Sequence, residues 1–312
     1  MPSRHLFSFE RGRRYDPAEV VERITAAAGG VRPDMILDSG AFSAMTIGAR
    51  SDVDEYAAWL RSWQPWATAA FTLDSIGDPK ASAANHARLL AKDTGVPLIP
   101  VFHANSPLEY LHRMCERERY VAFGGLVSLK HRRHEIGTWL SFHTQIAGRY
   151  GTRVHALGVT SGATAAVPLY SCDSSAVTAC VRYGRLWLWD SHRAQIVQPK
   201  YRSAAERQQV ARLLPRHGVS MADLADPHFM DPMSTERSWI EDRNRVMEAG
   251  GRARALLEDY LIRRHRVSAP PGLARGRDTG TKVYAAFTDI DQHETAARAW
   301  AALQPRKEGT PT

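Results

Sequence analysis

Over its first two hundred residues the chain repeats one unit: a short β-rich run, a loop with Asp, Ser or Gly at its mouth, then a helical segment. The runs are HLFSF (5–9), MILDS (35–39), AAFTLD (69–74), PLIPVFH (97–103), YVAFGG (120–125), RVHALGV (153–159) and PLYSCDS (168–174). Strands alternating with helices are the grammar of βα units, which build parallel sheets. With 312 residues the chain is long enough for a (β/α)8 TIM-like barrel, a class that commonly takes about 250. An eighth strand is harder to place. LWLWD (186–190) is the candidate, in competition with its being half of a hairpin with AQIVQ (194–198), so the barrel is allowed to be irregular.

Helix starts carry their own signals. Asp16-Pro17 predicts a helix over 16–28, Asp52 one over 52–63, Asp78-Pro79 one over 79–94 and Ser106-Pro107 one over 106–117. Each puts a capping side chain or Pro at the first turn, where backbone amides lack partners. Trp59, Trp63 and Trp66 are read as packing a helix onto the barrel, and Trp187 and Trp189 as core or hairpin cover. After residue 200 the pattern turns helical, over 203–215, 220–226 and a long Arg-rich segment from Ser234 to about Arg266. APPGLARGRDTGTK (269–282) reads as a linker, and YAAFTDI (284–290) as a possible returning strand. The expected organisation is a barrel core over 1–200, a helical, basic, Arg-rich extension over 201–303 packed on it, and a disordered tail over 304–312.

Composition narrows the functional classes. Hydrophobic residues are 44% and charged residues 24%, the balance of a globular protein. No apolar run approaches the ~18 residues that cross a bilayer, and the polar start lacks the apolar centre of a secretory signal, so a cytoplasmic protein is expected. Cys115, Cys172 and Cys180 include no CxxC pair, which favours reduced thiols over a disulfide framework or a zinc site. A net charge of +8 would attract polyanions, and a merely Arg-rich composition explains it equally well.

Three of the runs end in the same dipeptide: Asp38-Ser39, Asp74-Ser75 and Asp173-Ser174. In a parallel barrel the strand ends line the one open pocket, so three carboxylates there make an acidic site. Any single Asp in that place is more often a helix cap. Paired carboxylates suit glycosidic chemistry, one attacking the anomeric carbon and another moving a proton. Gly124-Gly125 and Gly158 would let backbone approach a flat ligand closely.

In order and spacing, LDSGAFSA, FTLD, IPVFH, FGGL, HALGV and YSCDS resemble the tRNA-guanine transglycosylase superfamily, and more closely its smaller phage-type branch that modifies DNA. The resemblance covers roughly residues 35–176. It implies Asp173 as nucleophile and Asp38 as general acid/base. It also implies a base pocket made by Phe42 and Leu157 as opposite walls, with Gly158 beside Leu157. Asp74 would meet the donor edge of guanine, Gly125 and Leu126 of the Gly124-Gly125-Leu126 turn would bond the base carbonyl or its substituent, and His103 stands where Gln is usual. The implied reaction exchanges guanine in DNA for a free 7-deazaguanine, such as 7-cyano-7-deazaguanine, without ATP.

The chain departs from the family in a missing zinc element and in its short, Arg-rich helical tail. The tRNA enzymes carry a CxC…CxxC…His zinc motif after the nucleophile strand, and nothing after Cys180 supplies it, so no cofactor is expected and DNA is favoured over tRNA. Phosphate contacts are assigned to Lys130, Arg132 and Arg133 in KHRRH (130–134), which follows FGGL, and to Arg263 and Arg264 of the long segment. His103 and His155 are read as hydrogen-bonded core or pocket residues rather than metal ligands. The alternatives are the same exchange on tRNA, and a barrel nucleosidase or glycoside hydrolase with a small substrate and water as acceptor.

Overall fold

The protein, described here by a computed structural model over residues 2–41, 52–126, 133–160, 162–271, 273, 280–287 and 289–304, is a (β/α)8 barrel. Its parallel sheet runs β1 (Arg4–Ser8), β2 (Asp34–Asp38), β3 (Ala69–Phe71), β4 (Leu98–Ile99), β5 (Val101–His103), β6 (Tyr120–Gly124), β7 (Arg153–Ala156) and β8 (Ser171–Ser174), with β11 (Lys282–Ala286) between β8 and β1. β4 and β5 are two halves of one stave divided by Pro100, which has no N–H to give. Its carbonyl still accepts from the Ala122 amide at 2.8 Å, while Ala70 and Thr72 donate to Pro97 and Ile99 at 2.8 and 2.9 Å. Residues 97–104 therefore bond to β3 on one side and β6 on the other, and the ring of eight staves closes.

Helices follow the staves in turn: the short α1 (Phe9–Gly12) and α2 (Pro17–Ala27), α3 (Val53–Trp63), α4 (Pro79–Ala91), α5 (Leu108–Arg117), α6 (Arg133–Arg149), α7 (Gly162–Ala166) and α8 (Ala176–Arg182). Asp16, Asp52 and Asp78 accept amides of the first turn as expected, at 2.7, 2.7 and 2.9 Å. Ser106 does not cap α5, whose N-cap position falls on Pro107, with no side chain to accept. The barrel's outer faces bury two apolar layers. One sets Phe7, Met35 and Leu37 against Ile24, Tyr56, Trp59 and Trp63, so those two tryptophans pack helix to barrel, with Trp66 partly buried beside them. The other gathers Phe102, Phe123, Val154 and Cys172 with Trp187 and Trp189.

The eighth stave is not LWLWD. Leu188–Asp190 (β9) pairs antiparallel with Gln195–Val197 (β10) in a separate hairpin, the competing reading of that segment. The chain then forms α9 (Ala204–Val210), a 3-10 turn at Pro215–His217, α10 (Met221–Ala225) and the long α11 (Trp239–Arg264) before returning as β11 and α12 (Ile290–Ala301). The barrel therefore does not end at residue 200: its last βα unit lies beyond a helical insertion. LWLWD misleads because its alternate aromatic and aliphatic residues are buried on both faces by α11 and the insertion, giving a hairpin the apolar texture of a barrel strand. Among the described residues, no helix is long and apolar enough to cross a membrane.

β11 pairs with β8 over four register positions, Lys282↔Ser171 to Ala285↔Ser174, but with β1 over only two, His5↔Ala285 and Leu6↔Ala286. Where that second ladder has stopped, α11 supplies the bonds. Arg254 donates to the Val283 carbonyl at 2.6 Å, and the Val283 amide donates to Glu258 at 3.2 Å. Arg4 on β1 pairs with the same Glu258 at 2.9 Å and with Asp34 of β2 at 3.0 Å. Glu258 thus joins the two staves on either side of the seam.

α11 and α12 touch through Gly251, where an added Cβ would lie 2.7 Å from the Ala299 Cβ and 3.3 Å from the Ala296 Cα. Ala is the better helix former by up to ~1 kcal/mol. Overpacking a backbone contact costs about 1–3 kcal/mol, so the clash wins. Gly251→Ala is expected to lower unfolding free energy by about 1–2 kcal/mol, measured by urea denaturation; unchanged or increased stability would mean that α12 does not clamp the barrel as described.

Candidate active site

The period of two along each strand decides what enters the barrel. On β2, Met35 and Leu37 face the helices while Ile36 joins the interior; on β6, Val121 and Phe123 face out while Tyr120 and Ala122 face in. Continuing the inward parity to the C-terminal ends gives one rim: Ser8, Asp38, His103, Gly124, Leu157 and Asp173. Asp74 joins them from the loop three residues after β3, through contacts with residues of β2 and β5. The three carboxylates expected at one mouth are brought together there.

Asp173 is 6% exposed and held by one oxygen. His155 Nε2 and the Gly158 amide both meet its Oδ1 at 3.0 Å, so that among the described residues Oδ2 has no protein partner. Behind it the chain of bonds continues, His155 Nδ1 to Ser171 Oγ at 2.6 Å and Ser171 Oγ to the Tyr120 hydroxyl. Burial raises the Tyr120 phenol well above its ordinary value, so it stays protonated. Asp74 is held by both oxygens: Ser39 Oγ donates to Oδ1 at 3.1 Å and His103 Nε2 meets Oδ2 at 2.7 Å. Gly124 leaves room for that ring, since a Cβ there would lie 3.0 Å from His103 Cδ2.

Asp38 differs from both. Burial of its carboxyl, then the negative charges of Asp74 and Asp173, push its pKa up to about 7, against the weaker pull of the Gly40 amide and the Ser8 hydroxyl. The Gly40 amide donates to Oδ2 at 3.0 Å. One carboxyl at this mouth is thus close to half protonated at neutral pH beside two anchored ones, the separation of roles that acid/base chemistry requires.

The remaining sequence candidates divide. Gly125, at φ 72°, follows His103's neighbour in the rim, and Leu126 turns its side chain into the outer core, so this segment offers backbone rather than side chain to the mouth. Leu157 packs against the barrel interior. The Gly158 amide holds Asp173, and a Cβ built on Gly158 would meet nothing within 4 Å. Phe42, Lys130 and Arg132 lie outside the described residues, and Arg133 opens α6 with its side chain outside them.

Arg263 and Arg264 are misplaced for phosphate contact near the mouth. α11 runs against the strands, so its last turn reaches their N-terminal ends: Arg264 Nε donates to the Ala165 carbonyl at 2.7 Å, and Arg153, at the start of β7, donates to the Ser268 carbonyl at 2.8 Å. Arg263 pairs with Asp259 on its own helix at 2.5 Å. At the same end a cleft of about 430 Å³ lies between α6, the starts of β7 and β8, and Arg266–Ser268. Among the described residues no carboxylate lines it, so the mouth and not this cleft is the candidate site.

The residues do not fit the zinc element of the tRNA enzymes. Cys115, Cys172 and Cys180 are each buried on a different element, and burial pushes the Cys115 and Cys180 thiols up to about 11, whereas a zinc ligand must give up its proton. Among the described residues no three His, Cys, Asp or Glu side chains are grouped to hold a metal. Sequence reasoning missed Ser39, Ser171 and Tyr120 as supports. Parity could have found Ser171, two residues before Asp173 on the same strand face.

No protein-family model matches this chain, and no curated protein is significantly similar to it. The fold defines a (β/α)8 barrel with three carboxylates at its C-terminal mouth, one of them raised toward neutrality.

The raised Asp38 links site to stability. The folded chain holds this proton up to about pH 7, whereas the unfolded chain releases it near 4. The stability tied to that proton is present in full below about pH 4 and is lost as pH rises through 7. Asp38→Asn, neutral at every pH, is therefore expected to be more stable than the parent at pH 8–9 by about 2–4 kcal/mol, with the gain vanishing near pH 4. Thermal melts across that range decide it, and a gain independent of pH would remove the assignment.

Proposed function

We propose that this chain is a guanine transglycosylase that replaces guanine in DNA with a 7-deazaguanine base. The reading is carried by one observation: Asp38 is poised near pH 7 at the same mouth where Asp173 is anchored through Oδ1. It is supported by the resemblance of residues 35–176 to the transglycosylase motifs and by a net charge of +8, which favours a polyanionic partner.

In the first displacement Asp173 Oδ2 attacks C1′ of the target nucleotide, the C1′–N9 bond breaks, and guanine leaves with the Asp38 proton. In the second, the incoming base gives its N9 proton to Asp38, its N9 bonds to C1′, and Asp173 departs as carboxylate. Two inversions give net retention, and one glycosidic bond replaces another, so no nucleotide triphosphate is needed. Asp74 meets the N–H edge of either base, and Leu157 forms one wall of the pocket. A guanine inside a duplex has to be flipped out first, at a cost of a few kcal/mol that phosphate contacts offset.

The test supplies duplex DNA, single-stranded DNA or tRNA labelled in guanine, with 7-cyano-7-deazaguanine as incoming base. Label release from DNA is expected, abolished in Asp173→Ala and reduced about 10²–10⁴-fold in Asp38→Asn, the usual size of a general acid/base contribution. Release from tRNA alone overturns the choice of polymer; turnover of free nucleosides by water, or no release, overturns the exchange reaction.

A further inference from the structure

We infer that His155 is a positioning residue that makes Asp173 a good leaving group, and so sets how readily the covalent intermediate is discharged. The inference rests on the exchange reading above and concerns which half of that reaction each oxygen of Asp173 serves.

An ionised Asp173 can only accept hydrogen bonds, so His155 Nε2, at 3.0 Å from Oδ1, must carry a proton. A neutral ring then accepts at Nδ1, and Ser171, at 2.6 Å, is the donor. Ser171 in turn accepts from Tyr120, whose phenol burial keeps protonated. All the donors in this chain point toward the mouth. The opposite direction, with the proton on Nδ1, would set the Nε2 lone pair against a carboxylate oxygen. The ring cannot swing away: His155 is fully buried, with Phe71 4.7 Å and Tyr284 6.2 Å from it, centroid to centroid.

Both fixed donors, His155 Nε2–H and the Gly158 amide, serve Oδ1, which leaves Oδ2 to attack C1′. Once Oδ2 is bonded to C1′, Oδ1 is the carbonyl oxygen of a neutral ester, and its hydrogen bonds weaken. They strengthen again as the C1′–Oδ2 bond breaks and the electron pair returns to the carboxylate, because hydrogen bonds to a charged acceptor are about twice as strong. These donors hold back attack and speed departure.

The experiment mixes enzyme with guanine-containing single-stranded DNA, traps the DNA–protein adduct with denaturant, and then follows discharge of the adduct by added free guanine. His155→Phe, which has no donor, is expected to shift the equilibrium toward adduct about tenfold or more, through slower discharge with attack not slowed. His155→Gln, whose amide can donate, is expected to lie close to the parent, and Ser171→Ala to shift in the same direction by less. Nitrogen-15 NMR of the histidine rings in the free protein is expected to find the His155 proton on Nε2. If adduct forms in the parent while His155→Phe slows both directions equally and His155→Gln is no better, or if the proton sits on Nδ1 alone, this inference fails and the exchange reading stands. If the parent forms no adduct with any nucleic acid, the exchange reading fails and this inference with it.

Discussion

The structure depends on a seam. β1 and β11 share only two register positions, and an open ladder inside a barrel would leave buried amides and carbonyls without partners, which costs about 1–3 kcal/mol for each group. Arg254 and Glu258 prevent this by reaching from α11 to the Val283 carbonyl and amide, while Arg4 ties Glu258 to β1 and Asp34. Charges this deep have high desolvation costs; they persist because each is paired, and Arg254 and Glu258 are bonded to backbone as well. The long insertion before β11 is therefore part of the barrel's closure, since it ends in the helix that supplies these two side chains.

The mouth is built on the opposite economy. At the floor of the barrel Asp34 and Glu258 both meet Arg4; at the rim Asp38, Asp74 and Asp173 face one another with amides, hydroxyls and histidines between them. Like charges close together cannot all ionise freely, and burial of the Asp38 carboxyl adds to that repulsion as the larger effect. Asp173 is held by His155 and Gly158 and Asp74 by Ser39 and His103, while Asp38, buried beside both, takes the raised pKa. The difference between three identical side chains comes from what surrounds each of them.

Much of this was legible in the sequence because it depends on local signals. Alternating strand and helix texture, capping Asp residues and the three Asp-Ser strand ends fix the first seven staves and the rim without long-range information. What was hidden depends on contacts across the chain. LWLWD has the composition of a barrel strand and becomes a hairpin because α11 and the insertion cover both its faces, whereas YAAFTDI becomes the eighth stave because β1 and β8 leave it a slot. The sense of α11 likewise puts Arg263 and Arg264 at the far end of the barrel, a fact no charge pattern carries. His155 looked like an ordinary core histidine; its meaning comes from a partner eighteen residues away on the next strand.

Around the ring the order is β2, β1, β11, β8, so the last stave stands between the one that carries Asp38 and the one that carries Asp173. On a ribosome β1, β2 and β8 emerge first, and β11 only after the whole helical insertion that follows β8. Until it inserts, the two acids sit on either side of an open gap at no defined separation. Pairing residue 5 with residue 285 is about as non-local as a contact in this chain can be, and such contacts form late and slowly. A nascent chain can thus display most of the barrel and all three carboxylates while lacking the geometry that joins them, so that the mouth takes its shape only when β11 inserts.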